Sequence, residues 1–439
     1  MWVDVLKPSI SNLALVCRVC LMVFGVSLFF AQPGKAQTAD LDLDGIPNVI
    51  ETSVGLNPAS ASDANLDLDG DGWSNLDEYR FGSGIDNASI HPANTQIEVN
   101  AHQKGFGGDS GAGDRLGFGV DVEGATALIG ARFDDSTGMD SGVVYVFTQT
   151  SDLWTQQAKL VANDASAGDL FGYAVSLSGE TALVSAVGDS GAGAGSGSAY
   201  VFTRSGTVWT RQAKLVASDS AAGDRFGVSV SLAGETVLIG ANLDDDGASA
   251  SGSAYVFVRS GTVWTEQAKL VASDAGEDDE FGISVALDGD TALVGAFLDD
   301  DTAVDSGSAY VFTRSGGAWT EQAKLVADDP EDSELFGVSV ALDAETALVG
   351  AQFDDSVSLT LDVGSVYVFV RTGISWTQQD KLYATDPATD DNFGFALSLS
   401  GDRALVGAHG NEAALTDAGA AYLFIRSGTT WTQRLKFRV

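Results

Sequence analysis

Positive charge is what this 439-residue chain has least of: 23 lysines and arginines stand against 61 aspartates and glutamates, for a formal net charge of -38. That balance excludes nucleic acid and anionic membrane as partners, because phosphate binding needs a basic stripe and this field repels it. Cysteine is nearly absent. Its two copies, Cys17 and Cys20, fall in an N-terminal leader, so the mature chain is expected to hold no disulfide and no thiol chemistry. Histidine appears only as His91, His102 and His409, outside any repeating pattern and with no partner that would make a general base; all three read as surface residues. Long apolar runs are missing too. Lys7 and Arg18 precede the run Val19 to Ala31 and then Gly34-Lys35-Ala36, the order of a secretory signal with small-residue cleavage near Ala36. The run is well short of the ~20 residues a membrane span needs. Residues 1–36 are therefore read as a signal, and the protein as exported: secreted, extracellular or at the cell surface, released rather than anchored, with no membrane insertion of the mature chain.

What the chain has in abundance is repetition. A unit recurs at Leu116-Gly117, Phe171-Gly172, Phe226-Gly227, Phe281-Gly282, Phe336-Gly337 and Phe393-Gly394, every 55 residues and once after 57. A fixed period means stacked copies of one module that cannot bury its own apolar face alone. In the second copy, four short runs of β-branched, aromatic and alternating polar residues (Phe171 to Leu177, Thr181 to Ala186, Ser198 to Arg204, Trp209 to Ala217) have strand length and strand composition. Tight-turn residues join the first pair (Ser-Gly-Glu) and the second pair (Ser-Gly-Thr-Val). Four-stranded sheets repeated about an axis make a β-propeller, so the fold class expected is all-β, with six blades over about residues 105–439. A Trp starts each fourth strand, and Lys159, Lys214, Lys269, Lys324, Lys381 or Lys436 follows five residues later. On an outer edge these lysines read as solvated charges that discourage edge-to-edge pairing.

The Phe-Gly pair, the alternating apolar residues and then Gly-Ala at 130–131, 240–241, 295–296, 350–351 and 407–408 (Ser-Ala at 185–186) resemble the FG-GAP repeat of integrin-alpha-type propellers in its bacterial secreted form. The resemblance implies a role in cell-surface or matrix adhesion. Two departures stand out. Integrin-type repeats commonly carry a DxDxDG calcium loop between the first two strands, but here that turn is about three residues, so calcium is not carried over to it. The integrin domain has seven blades; Thr95 to Ala101, in the linker 93–104, fits a lone closing strand, which leaves six or seven blades open.

Between leader and repeats, residues 37–92 differ in composition. Asp40, Asp42, Asp44, Ile46, Asn48 and Glu51 form one twelve-residue pattern, and Asp67, Asp69, Asp71, Trp73, Asn75 and Glu78 form a second. Both place oxygen ligands at positions 1, 3, 5 and 9, a backbone carbonyl at 7, Gly at 6 and a bidentate Glu at 12, as Ca2+ requires of a loop supplying six to eight hard oxygens. The segment also resembles the thrombospondin type 3-like calcium repeats of bacterial secreted proteins, in the run Asp69 to Tyr79, which implies a calcium-stiffened stalk; a dockerin-like docking module is the alternative.

In an up-and-down blade, the loop between strands two and three and the loop leading to the next blade emerge on one face. Those loops hold 35 of the 61 acids, with only Arg115, Arg132 and Arg225 as bases, whereas Arg204, Arg259, Arg314, Arg371 and Arg426 sit in turns at the opposite face. Aspartate suits Asx turns and solubility; the paired residues Asp134 and Asp135, Asp244 and Asp245, Asp299 and Asp300, and Asp354 and Asp355 are also candidates for a weak cation face. Catalytic constellations are scarce: Gly108-Asp109-Ser110-Gly111 and Gly188-Asp189-Ser190-Gly191 mimic a serine-protease segment without a placed His. The reading is a monomeric, non-enzymatic, calcium-binding extracellular interaction module with a protein or glycan ligand. The alternatives are a polysaccharide-active hydrolase or lyase on the acidic face, or a purely structural spacer. No Arg-Gly-Asp tripeptide is present.

Overall fold

The computed structural model describes residues 46, 51–52, 56–60, 62–63, 66, 68, 75, 111, 113–150, 153–355, 362–411 and 419–437. Its described strands form six antiparallel sheets of four, each in the order first, second, third, fourth. Blade 1 spans 116–160, blade 2 171–215, blade 3 230–270, blade 4 284–325, blade 5 336–382 and blade 6 393–437. Thr95 to Ala101, the candidate closing strand, lies outside the described residues. Among those described, no helix is long and apolar enough to cross a membrane.

Blade 2 shows how the sequence builds each unit. Its strands run Phe171–Ser178, Thr181–Ala186, Ser198–Ser205 and Val208–Leu215. The second is buried at every position, because it lies between two neighbours in its own sheet and under a blade on each face. First strands of successive blades pack against one another, which places them around the axis and the fourth strands at the rim.

The Phe-Gly and Gly-Ala motifs meet at each blade junction. Phe171 is fully buried and sets its ring edge-on to Tyr200 (centroids 5.5 Å) and Phe202 (6.1 Å), within a cluster that joins Leu128, Val144 and Val146 of blade 1 to blade 2. The adjoining Gly172, at φ 86°, carries its carbonyl so close to Gly130 that a Cβ there would stand 2.1 Å from the oxygen. Close backbone approach between blades thus favours glycine at the Phe-Gly motif and a small residue opposite it, glycine in most blades and Ser185 in blade 2, whose Cβ would lie 2.8 Å from one added at Gly227.

Candidate functional site

Of the twelve residues expected to hold calcium, three are described. Ile46 and Glu51 of the first loop are fully buried. Asn75 of the second is fully buried as well, accepting a hydrogen bond from the Leu68 N–H (3.0 Å) and donating to the Asp63 carbonyl (2.6 Å). Asp40, Asp42, Asp44, Asn48, Asp67, Asp69, Asp71, Trp73 and Glu78 lie outside the described residues.

The two acidic loop sets do share a face, where they are bonded backbone to backbone. The N–H groups of Gly168, Leu170 and Phe171 donate to the carbonyls of Met139, Asp140 and Ser141 at 2.9, 3.1 and 2.9 Å. The first aspartate of each pair is buried: Asp134, Asp244, Asp299 and Asp354, with Asp189 in blade 2. Each accepts from the hydroxyl of its blade's third-strand tyrosine (Tyr145, Tyr255, Tyr310, Tyr367 and Tyr200 respectively).

The lysines differ from expectation. They are not solvated edge charges: Lys214 Nζ lies 2.6 Å from Asp189 and 2.8 Å from Asp164, the latter on the linker entering blade 2. Lys269, Lys324 and Lys381 repeat the arrangement. The reason is register. The lysine pairs with the buried tyrosine across the ladder, as in Tyr200↔Lys214, and its stem runs over that ring, with Nζ 5.1 Å from the centroid. Burial pushes the Asp189 carboxyl up, but hydrogen bonds from Lys214 and the Gly191 N–H, with the lysine charge, hold it below the ordinary carboxylate range. In blade 6, Asn411 takes the aspartate's place and donates to the Tyr422 hydroxyl at 3.3 Å.

Two groups of three carboxylates converge, Asp219 with Asp244 and Asp246, and Asp274 with Asp299 and Asp301. Their hard oxygens are a donor set for a cation, and in each a lysine ammonium already stands among them: Lys269 Nζ is 2.9 Å from Asp219 and 3.0 Å from Asp244, Lys324 Nζ 2.9 Å from Asp274 and from Asp299. The second residue of each pair stays outside these groups. Asp135, Asp245 and Asp355 instead accept backbone N–H groups of their own loops, from Asp140, Ala250 and Asp362, and Asp300 is exposed.

At the opposite face the arginines are fully engaged. Arg204 pairs with Glu180, donates to Thr126 Oγ1 of the preceding blade at 2.9 Å and lies over Trp209, 5.1 Å from the ring centroid. Arg259, Arg314, Arg371 and Arg426 repeat the pattern.

At the axial mouth of the acidic face the repeat breaks down. The residue after each second strand is, blade by blade, Arg132, Val187, Asn242, Phe297, Gln352 and His409, and the residue before each Phe-Gly or Leu-Gly is Arg115, Leu170, Arg225, Glu280, Leu335 and Asn392. All six of the latter hold positive φ between 51° and 58°. The Arg132 guanidinium lies 3.5 Å from the Phe118 ring centroid and 5.1 Å from that of Tyr173. Its Nε and an Nη of Arg115 are buried without an acceptor. Burial, with Arg115 nearby, brings Arg132 down to about 10 despite the opposing pull of Tyr173. His409 is buried against Phe395 (4.5 Å) rather than on the surface. Sequence reasoning passed over this ring because it followed what repeats; the signal lay in positions that vary between otherwise matching units.

Comparison with known proteins agrees with the geometry. The family model described as FG-GAP repeat matches residues 103–147, 154–202, 209–257, 264–312, 319–369 and 376–424. No curated protein sequence matches. Among solved structures the chain is similar to Saccharomyces cerevisiae Sqt1, at 10% identity over 71% of this chain and 82% of that one, with a TM-score of 0.38, too slight a likeness to carry any argument. Six matched repeats, each covering the first three strands of one described blade and, after the first, also the fourth strand of the blade before it, place the chain in the FG-GAP repeat family.

Proposed function

We propose that this protein is an exported, calcium-stabilised interaction module whose propeller presents its acidic face to an extracellular partner and performs no catalysis. The observation that carries this reading is the asymmetry of the two faces. On one side the five recurring arginines, Arg204, Arg259, Arg314, Arg371 and Arg426, are taken up in holding blades together. On the other, long loops carrying 35 acids surround a mouth whose residues change from blade to blade. A face that varies on a scaffold that does not is the arrangement of a recognition surface. Adhesion at a cell surface or matrix is the role the family suggests, and function follows the site rather than the fold.

Calcium belongs to this reading through the segment 37–92. The repeated loop pattern and the full burial of Glu51 fit a carboxylate drawn inward to a cation. The residues that would hold Ca2+ are Asp40, Asp42, Asp44, Asn48 and Glu51 with the Ile46 carbonyl, and Asp67, Asp69, Asp71, Asn75 and Glu78 with the Trp73 carbonyl. Bound there, the ion would neutralise neighbouring carboxylates and stiffen the segment. Calorimetric titration of the chain lacking residues 1–36 should find two sites with dissociation constants of about 0.1–1 mM, one of them lost in Asp67→Ala; an absence of calcium heat would overturn the assignment. Binding and turnover read together on polysaccharides and matrix proteins should give binding without product, and metal-dependent cleavage would favour a hydrolase or lyase.

A further inference from the structure

We propose that the mouth between blades 1 and 3 is a carboxylate-binding pocket that receives the C-terminal carboxylate of a basic peptide segment, an inference that deepens the interaction-module reading and rests on it. A cavity of about 380 Å³ lies there, lined by Arg132, Phe133, Leu170, Tyr173, Val187 and Arg225 together with loop glycines. That volume lies at the small end of the range for ligand pockets, about 300–1,000 Å³.

The charge pattern selects the ligand. Arg132 and Arg115 meet no carboxylate among the described residues, in a protein where the five arginines of the opposite face are all paired. Arg132 is held over Phe118 and lines the cavity, so a rigid, planar guanidinium fork offers its donors to an incoming group. A carboxylate matches that fork with two oxygens. Around this positive centre lies the acidic rim, which repels a polyanion and attracts a cationic body. A single carboxylate carried on a basic chain complements both zones, whereas a polyuronate complements only the centre.

The backbone points the same way. Arg115 and Arg225 adopt φ of 51° and 57°, a conformation that glycine takes freely and other residues take at a cost. Side chains are nevertheless kept at all six equivalent positions, and two of them, Leu170 and Arg225, line the cavity. Strained backbone of this kind gathers at ligand sites.

Fluorescence anisotropy with the mature full chain provides the test. The probe is a fluorescein-labelled peptide of alternating lysine and glycine, with either a free or an amidated C-terminus, alongside an oligouronate of matched length. The free acid should bind about 10- to 100-fold more tightly than the amide, the effect of gaining charge-assisted hydrogen bonds. Arg132→Gln should erase that difference. Arg225→Glu, at an exposed position that leaves the fold intact, should weaken the free acid at least tenfold, and Arg314→Gln on the opposite face should change neither ratio. Equal binding of acid and amide would overturn the pocket while leaving the acidic face a platform for basic partners. Tighter binding of the oligouronate would overturn the partner class. Binding by no probe would overturn both this inference and the reading beneath it.

Discussion

Single residues carry two predictions. Glu334 occupies a position where other blades place an aspartate that accepts a backbone N–H, as Asp169 does from Ser166 (2.6 Å) and Asp279 from Gly276 (2.6 Å). Its extra methylene brings its carboxyl close to buried Asp354. Burial first, and the Asp354 charge second, push it up to about 7. A folded-state pKa raised above the unfolded value contributes stability below about pH 4.5 that is lost as pH rises through 7. Glu334→Gln should therefore leave stability near pH 4 almost unchanged and raise it by roughly 3 kcal/mol at pH 8, read as a pH-dependent gap between two denaturation series; a constant gap would refute it. Asp121, pushed by burial to about 6, acts in the same sense in both proteins and cancels in the comparison. The second prediction concerns Lys269. Its removal in Lys269→Met strands buried Asp244 beside Asp219, and breaking such a pair costs about 3–5 kcal/mol. A midpoint shift under about 0.5 kcal/mol, the range of ordinary surface changes, would mean these lysines are solvated after all. Lysine spacing is visible in the sequence, but its partner is not: Asp164 lies 50 residues before Lys214, and only blade-to-blade packing brings the two together.

At the level of strands and turns, nearly everything was legible. Phe171, Thr181 and Ser198 begin strands where composition placed them, with the fourth strand shifted by a residue at its start and ending at Leu215. Periodicity did this because each copy repeats the same alternation, so six weak signals add. The axial mouth stayed hidden since it depends on positions where the copies disagree. One turn departs from its siblings in a testable way. The turn between first and second strands places glycine at positive φ in blades 1–4 and 6, whereas blade 5 places Ala344 there at φ 50°. Left-handed backbone costs a non-glycine residue about 1–2 kcal/mol, partly offset because glycine loosens the unfolded chain. Ala344→Gly should raise unfolding stability by about 0.5–1 kcal/mol, and a loss of stability in chemical denaturation would show that the turn is not strained.

For the whole molecule, a net charge of -38 with most acids gathered on one face makes self-repulsion a destabilising force. Salt screens exposed charges within about 10 Å at 0.1 M while reaching buried pairs far less, so the Lys–Asp staples should outlast the repulsion around them. The melting temperature should rise between 0.01 and 0.3 M sodium chloride at neutral pH; a fall would mean that exposed ion pairs, not the buried ones, hold the blades. The same staples bear on how such a protein could arise. The described junctions use one kit of parts: a glycine set against a small residue (glycine, or Ser185 between blades 2 and 3), a linker aspartate reaching the next blade's tyrosine and lysine, and an arginine reaching back to the previous blade's threonine. Every kit joins only adjacent units. A duplication or deletion of one 55-residue segment would therefore leave each surviving junction chemically complete, so blade number can change in a single genetic event without any interface having to be reinvented, while the mouth is free to diversify one blade at a time.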